Sequence, residues 1–218
     1  LCLLRDLKGL VRSHINAEVH TIGYKADNYV HQHDQHDNDN SYSSCHRAVF
    51  KTLLINTHCT YLPLTPAALF KHSDCEEIKD KGCDKLILDL RGNGGGYVDA
   101  AVYTASLWLD GATVTTAKSS NNSAYNRTYT AKTGKAILKG MKTVVLTNGS
   151  TASAAEILTG ALKDNNLATV LGEKTYGKGC MQSLETLTSG DVLRVTIANW
   201  YTPDGSNISN DGISPDKV

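Results

Sequence analysis

Three hydroxyls, Ser150, Thr151 and Ser153, crowd the stretch "NGSTASAAEI" at Asn148–Ile157. A nucleophilic hydroxyl needs a neighbouring group to take its proton. All eight histidines lie at or before His72, so the half of the chain that holds these hydroxyls contains none, and a serine–histidine–aspartate arrangement is not available locally. A basic side chain does stand between Gly177 and Gly179, in "GEKTYGKG": Lys178. Removed from water, a lysine loses its preference for the charged state and can act as a general base. Left exposed on a turn, it is an ordinary surface cation. Ser153 also has two readings. Ser153-Ala154-Ala155-Glu156 matches the S-x-x-E capping box that satisfies free amides at a helix start. A serine on a tight strand-to-helix turn can equally present its oxygen to a substrate, with the next backbone amide and the helix dipole stabilising an oxyanion. Both roles use the same backbone and compete only for the side chain.

Other chemistry is weaker. Gly172-x4-Gly177-Lys178 approaches a phosphate-binding loop, but Gly179 stands where a magnesium-holding serine or threonine is needed, and a strand rather than a helix is expected next. "DLRGNGGG" (Asp89–Gly96) resembles a dinucleotide fingerprint, yet Tyr97 occupies the place of its last glycine. What remains for that run is a turn with positive φ, or a backbone amide brought close to a ligand. His31, His33 and His36 lie among aspartates in a polar segment, where such residues are more often solvated than ligating. Cys45-His46 and His58-Cys59 place ligands side by side in sequence, which seldom fits one tetrahedron. No metal and no cofactor is assigned. N-x-S/T sequons at Asn121, Asn126, Asn148 and Asn207 matter only in a eukaryotic secretory route.

The elements that must position these residues begin at Asp84. "KLILDL" (Lys85–Leu90), "TVVLT" (Thr143–Thr147) and "LATVLG" (Leu167–Gly172) read as buried strands. Apolar spacing predicts helices over Val98–Leu109 and Ala154–Asp164. Strand, helix, strand in units of this size implies parallel pairing with helical crossovers. Beyond Met181, Leu193, Val195 and Ile197 alternate with Arg194 and Thr196 after a Ser189-Gly190 turn, which reads as a hairpin. The sum is a mixed α/β domain.

The 218 residues, 40% of them hydrophobic, suit one globular domain plus an irregular extension. Residues 1–83 hold all the histidines and five of the six cysteines, and nearly all the glycines follow Lys81. We therefore expect an N-terminal region of unclear fold over residues 1–80, with a loop or disordered segment over 26–45, and a core over 81–218. Equal numbers of acidic and basic residues leave no electrostatic footprint for nucleic acid or an anionic membrane surface. No run approaches the ~18 apolar residues of a membrane-spanning helix. Without a C-x-x-C pair, the even cysteine count leaves the redox compartment open.

Four segments, "LILDLRGNGGG", "VVLTNGSTASAAEILTGALKDN", "VLGEKTYGKGCMQ" and "YTPDGSNISNDGISPD", occur in an order that resembles the C-terminal processing peptidases, the tail-specific serine proteases of the S41 family. The resemblance covers residues 84–218. It implies an α/β fold, a spiral mixed β-sheet core with crossover helices (ClpP/crotonase-like). It implies Ser153 as nucleophile, Lys178 as base and Gln182 as the group that orients the lysine, with the amides of Gly96 and Ala154 as oxyanion hole. It also implies an acyl-enzyme, a protein or peptide substrate with a free, often apolar C-terminal tail, and a place in the cell envelope, the periplasm or outside the cell. No PDZ domain is recognisable in residues 1–80, so the chain looks like a fragment or a protein whose N-terminal part has been replaced, and an adaptor or missing PDZ-like part is an expected partner. The oligomeric state stays open. A non-catalytic ligand- or peptide-binding module on the same fold is the competing reading.

Overall fold

The computed structural model describes residues 72–218, together with the backbone of two upstream strands, Leu53–Asn56 and Cys59–Pro63. All of these belong to the compact unit Ala48–Val218. The expected loop at 26–45, the histidine cluster at 31–36, the Cys45–His46 pair and His58 of the second pair lie outside the described residues.

One sheet has the order β1-β2-β3-β6-β7, with β1 (Leu53–Asn56), β2 (Cys59–Pro63), β3 (Lys85–Asp89), β6 (Lys142–Thr147) and β7 (Ala168–Gly172). β1 and β2 are antiparallel, and β2, β3, β6 and β7 run parallel. The three strands read from sequence are thus neighbours, as their buried apolar runs require. The sheet also takes β2 from upstream of residue 81. Helix α1 (His72–Asp80) leads into β3 and buries only Cys75 and Ile78, too narrow a stripe to stand out in the sequence.

Helix α2 (Val98–Ala105) and helix α3 (Ala154–Asp164) pack against each other on this sheet. α3 has the expected bounds. α2 ends four residues before the expected Leu109, because the polar Ser106 interrupts it. Its hydroxyl donates to Val102 O at 2.6 Å, and Leu107 N and Trp108 N tighten onto Thr104 O and Ala105 O. Leu107, Trp108 and Leu109 still join the core. The Trp108 indole N–H donates to Thr143 Oγ1 at 2.8 Å, so its ring is buried without an orphaned donor. Leu86, Leu88, Val145 and Val170 of the sheet meet Ala101, Ala105, Ile157, Ala161 and Leu162 of the helices. Each fully buried leucine contributes about 1.5–3 kcal/mol.

The second sheet is antiparallel, of order β5-β4-β9-β8, with β4 (Thr113–Lys118), β5 (Arg127–Thr130), β8 (Cys180–Thr186) and β9 (Val192–Tyr201). The expected hairpin is β8–β9, but its inward face differs from the simple alternation. Met181 pairs with Ala198 and Gln182 with Thr196, so β9 carries one extra residue there. That bulge hands the inward face from Leu193 and Val195 to Ala198 and Trp200 rather than to Ile197. Leu193 and Val195 are exposed, because the outer half of the hairpin extends past the core.

Candidate active site

Parallel strands align their carboxyl ends, and the turns that follow β3, β6 and β7 meet on one edge. These turns hold the glycine run, the three hydroxyls and Lys178.

The first two turns are joined at successive levels. Thr151 Oγ1 donates to Leu90 O at 2.8 Å, Gly92 N to Asn148 Oδ1 at 3.0 Å, and Ala152 N to Asn93 O at 2.9 Å. Asp89 anchors the start of the glycine turn by accepting Arg91 N, Nε and one terminal nitrogen at 3.0, 2.9 and 2.7 Å. Glycine is obligatory at residue 95. With φ +94, a Cβ there would fall 2.6 Å from Ala152 O and 2.7 Å from both Ala154 N and Ser153 Cβ. The Gly95 amide itself is engaged on Asn93 Oδ1 at 2.9 Å, and the next residue, Gly96, is exposed at φ 154.

Ser153 caps α3 with φ 57 and ψ −121, a sparsely populated conformation that costs about 1–3 kcal/mol in a non-glycine residue. Such strain persists only where the surroundings over-determine it. Here a carboxylate does so. The S-x-x-E capping box is present, and Ser153 N donates to Glu156 Oε2 at 2.7 Å. Glu156 is wholly buried and also accepts Lys178 N on Oε2 at 2.9 Å, and Thr175 Oγ1 and Gly177 N on Oε1, both at 2.6 Å. One buried carboxylate, saturated by four donors, thereby ties the backbone of the serine to that of the lysine. Their nitrogens can be no further apart than the sum of the two bonds to Oε2, well within the reach of a lysine side chain.

The lysine turn is held from its other side by the end of β9 and the segment after it. Asn210 N donates to Gly177 O at 3.0 Å and Trp200 N to Gly179 O at 2.7 Å. A Cβ at Gly177 would meet Asn210 C at 3.0 Å, and one at Gly179 would collide with Ser209 N. The two glycines around Lys178 thus serve close backbone packing. Cys180 opens β8 directly after, so the phosphate-loop reading fails as expected for want of a helix. The Lys178 side chain is exposed, as is that of Gln182 on β8. The backbone of Lys178 is thus held near that of Ser153, while its side chain lies exposed to water.

Of the residues marked in sequence, Ser153, Ala154, Gly96 and Lys178 come to this one edge, and Gln182 follows on the adjoining strand. Sequence reading missed the reach of Glu156, seen only as a helix cap, and the bridging roles of Asn93, Asn148 and Thr175. The capping motif was visible, but its second set of donors comes from a turn about 20 residues on, which no local pattern displays. Among the described residues no group of three or more His, Cys, Asp or Glu could hold a metal.

A parallel sheet with crossover helices, an antiparallel hairpin sheet beside it, and a strained serine facing a glycine turn define a serine-centred α/β core. The model of peptidase family S41 matches residues 71–218. The chain belongs to this family. It is 43% identical over 142 residues to the carboxyl-terminal-processing protease of Synechocystis sp., covering 65% of this chain and 32% of the relative. The protein of that name from Picosynechococcus sp. is also 43% identical over 142 residues, covering 65% and 33%. The chain thus spans about a third of the length of these relatives. Among solved structures it resembles the photosystem II D1 C-terminal processing protease, with 35% identity and a TM-score of 0.64, over 73% of this chain and 42% of that one.

Proposed function

We propose that the chain carries the catalytic core of a serine endopeptidase of the C-terminal processing type, acting through Ser153 and Lys178. The observation that carries this is the Glu156 carboxylate, which binds the backbone of both residues and holds Ser153 in a strained turn. Neutral Lys178 takes the proton of Ser153 Oγ as the oxygen attacks a peptide carbonyl, and the resulting oxyanion is received by the Gly96 and Ala154 amides. The lysine returns the proton to the departing amine, leaving an acyl-enzyme. Water, activated by the same lysine, then releases the acyl group. Gln182 orients the lysine amine. A substrate seated over Ser153 covers the exposed Lys178 and excludes water from it. The names of the relatives speak of carboxyl-terminal processing, which supports a protein with a free C-terminal tail as the substrate class; an adaptor or PDZ-like part would deliver it.

The test is labelling with an acylating serine reagent, followed by mapping of the modified residue. Modification at Ser153 in the native chain, lost in Lys178→Arg, is the expected result. A folded chain that binds tail peptides but is never acylated would instead be a non-catalytic binding module.

A further inference from the structure

The two amides assigned to the oxyanion come from different turns, Gly96 from the one after β3 and Ala154 from the one after β6. Both donors must lie about 2.7–3.1 Å from a single oxygen, so the relative placement of the turns is itself a catalytic requirement. Gly92, at φ +72, starts the first turn, and a Cβ there would touch nothing within 4 Å. Packing therefore does not hold this point. A side chain does: Asn148 Oδ1 accepts Gly92 N at 3.0 Å and, in its own turn, Ser150 N at 3.1 Å. Its backbone is fixed in turn, since Asn148 N donates to Thr151 Oγ1 at 3.1 Å and the buried Thr151 hydroxyl reaches Leu90 O.

We propose that Asn148 is a positioning residue for the oxyanion hole: its side-chain oxygen, shared between Gly92 N and Ser150 N, sets the glycine turn against the serine turn so that the Gly96 and Ala154 amides converge. This rests on the peptidase reading above. Asn93 works with it one step further in, linking the same turns through its carbonyl while its side chain accepts Gly95 N. Both hydrogen bonds at Asn148 Oδ1 use it as an acceptor, which aspartate can reproduce and alanine cannot.

The experiment compares native chain, Asn148→Ala and Asn148→Asp. It measures kcat and KM on a peptide with a free apolar tail and the acylation rate of Ser153, each counted per acylatable serine, so that a variant that folds less well still reports. Misplacing one oxyanion donor is expected to lower kcat of Asn148→Ala about 10²-fold, with KM changed by less than about threefold. Asn148→Asp is expected to recover most of that loss. A purely structural role would reduce the number of acylatable serines and leave the rate per site unchanged. An alanine variant with native kcat per site, or an aspartate variant no better than alanine, overturns the proposal while leaving the peptidase reading standing. Absence of acylation in the native chain overturns both.

Discussion

Replacing Glu156 by glutamine keeps its shape and removes half of its function. Each carboxylate oxygen accepts two donors: Thr175 Oγ1 and Gly177 N on one, Ser153 N and Lys178 N on the other. A glutamine has one acceptor oxygen, so its –NH2 meets either Ser153 N and Lys178 N, or Gly177 N and Thr175 Oγ1, and of these only the Thr175 hydroxyl can turn to accept it. Hydrogen bonds to a charged group contribute about 1.5–3 kcal/mol each, so the loss of one or two amounts to about 1.5–6 kcal/mol. The site is wholly buried, and water cannot replace the partners. Against a total stability of about 5–15 kcal/mol this is a large fraction. For a chain of this size, at about 2–4 °C per kcal/mol, it corresponds to a fall in Tm of roughly 3–24 °C. Either way the neutral amide holds Ser153 N and Lys178 N less firmly than the carboxylate, and a displacement of about 1 Å can cost 10²-fold, so catalysis should fall further than stability. The assay is thermal unfolding followed by circular dichroism, together with Ser153 acylation well below the variant's Tm. A Glu156→Gln variant with a Tm within about 3 °C of native and an unchanged acylation rate would refute the idea that this carboxylate joins the two residues.

Lys178→Arg should be as inactive toward a C-terminal tail peptide as Ser153→Ala, since a guanidinium cannot give up its proton, and the double variant should be little worse than either single one; substantial hydrolysis by the arginine variant would point to another base. Gly96→Ala should lower kcat by about 10²–10³ with modest loss of stability, whereas Gly95→Ala should also unfold the turn, because its Cβ would strike the Ala152 and Ala154 backbone and Ser153 Cβ; equal Tm values for the two variants would contradict this distinction. Burial, followed by the nearby Asp204 charge, raises the Asp164 carboxyl above its ordinary range, while hydrogen bonds from Thr202 and Ser206 hold Asp204 down at about 2. A raised carboxyl binds its proton more tightly in the folded state, so Asp164 stabilises at low pH and that contribution is lost as pH rises from about 4 through its raised value. Asp164→Asn, neutral throughout and still able to accept Asp204 N, should melt higher than native at pH 7, with the gap closing toward pH 4; a gap that does not vary with pH would count against the raised Asp164 carboxyl.

What the sequence determined by itself was local and periodic. Three apolar runs bounded by charge and glycine became adjacent parallel strands, and the spacing of Ala154, Ile157, Leu158, Ala161 and Leu162 set α3 to the residue, because burial of one stripe is a property of consecutive residues. The four ordered segments carried the family and the candidate residues Ser153, Lys178, Gln182, Gly96 and Ala154. Tertiary structure decided what depends on partners distant in sequence. The β9 face shifted from Ile197 to Ala198 because a bulge is set by the pairing of two strands, and alternation in one strand cannot reveal it. Ser106 ended α2 early by turning its hydroxyl back on Val102 O, where spacing alone carried the helix to Leu109. Glu156, Asn93 and Asn148 were ordinary in sequence, a helix cap, a turn residue and a sequon. Their roles arose when the carboxyl ends of β3, β6 and β7 were brought together, since a buried polar group takes the donors that folding places around it, and those came from other turns.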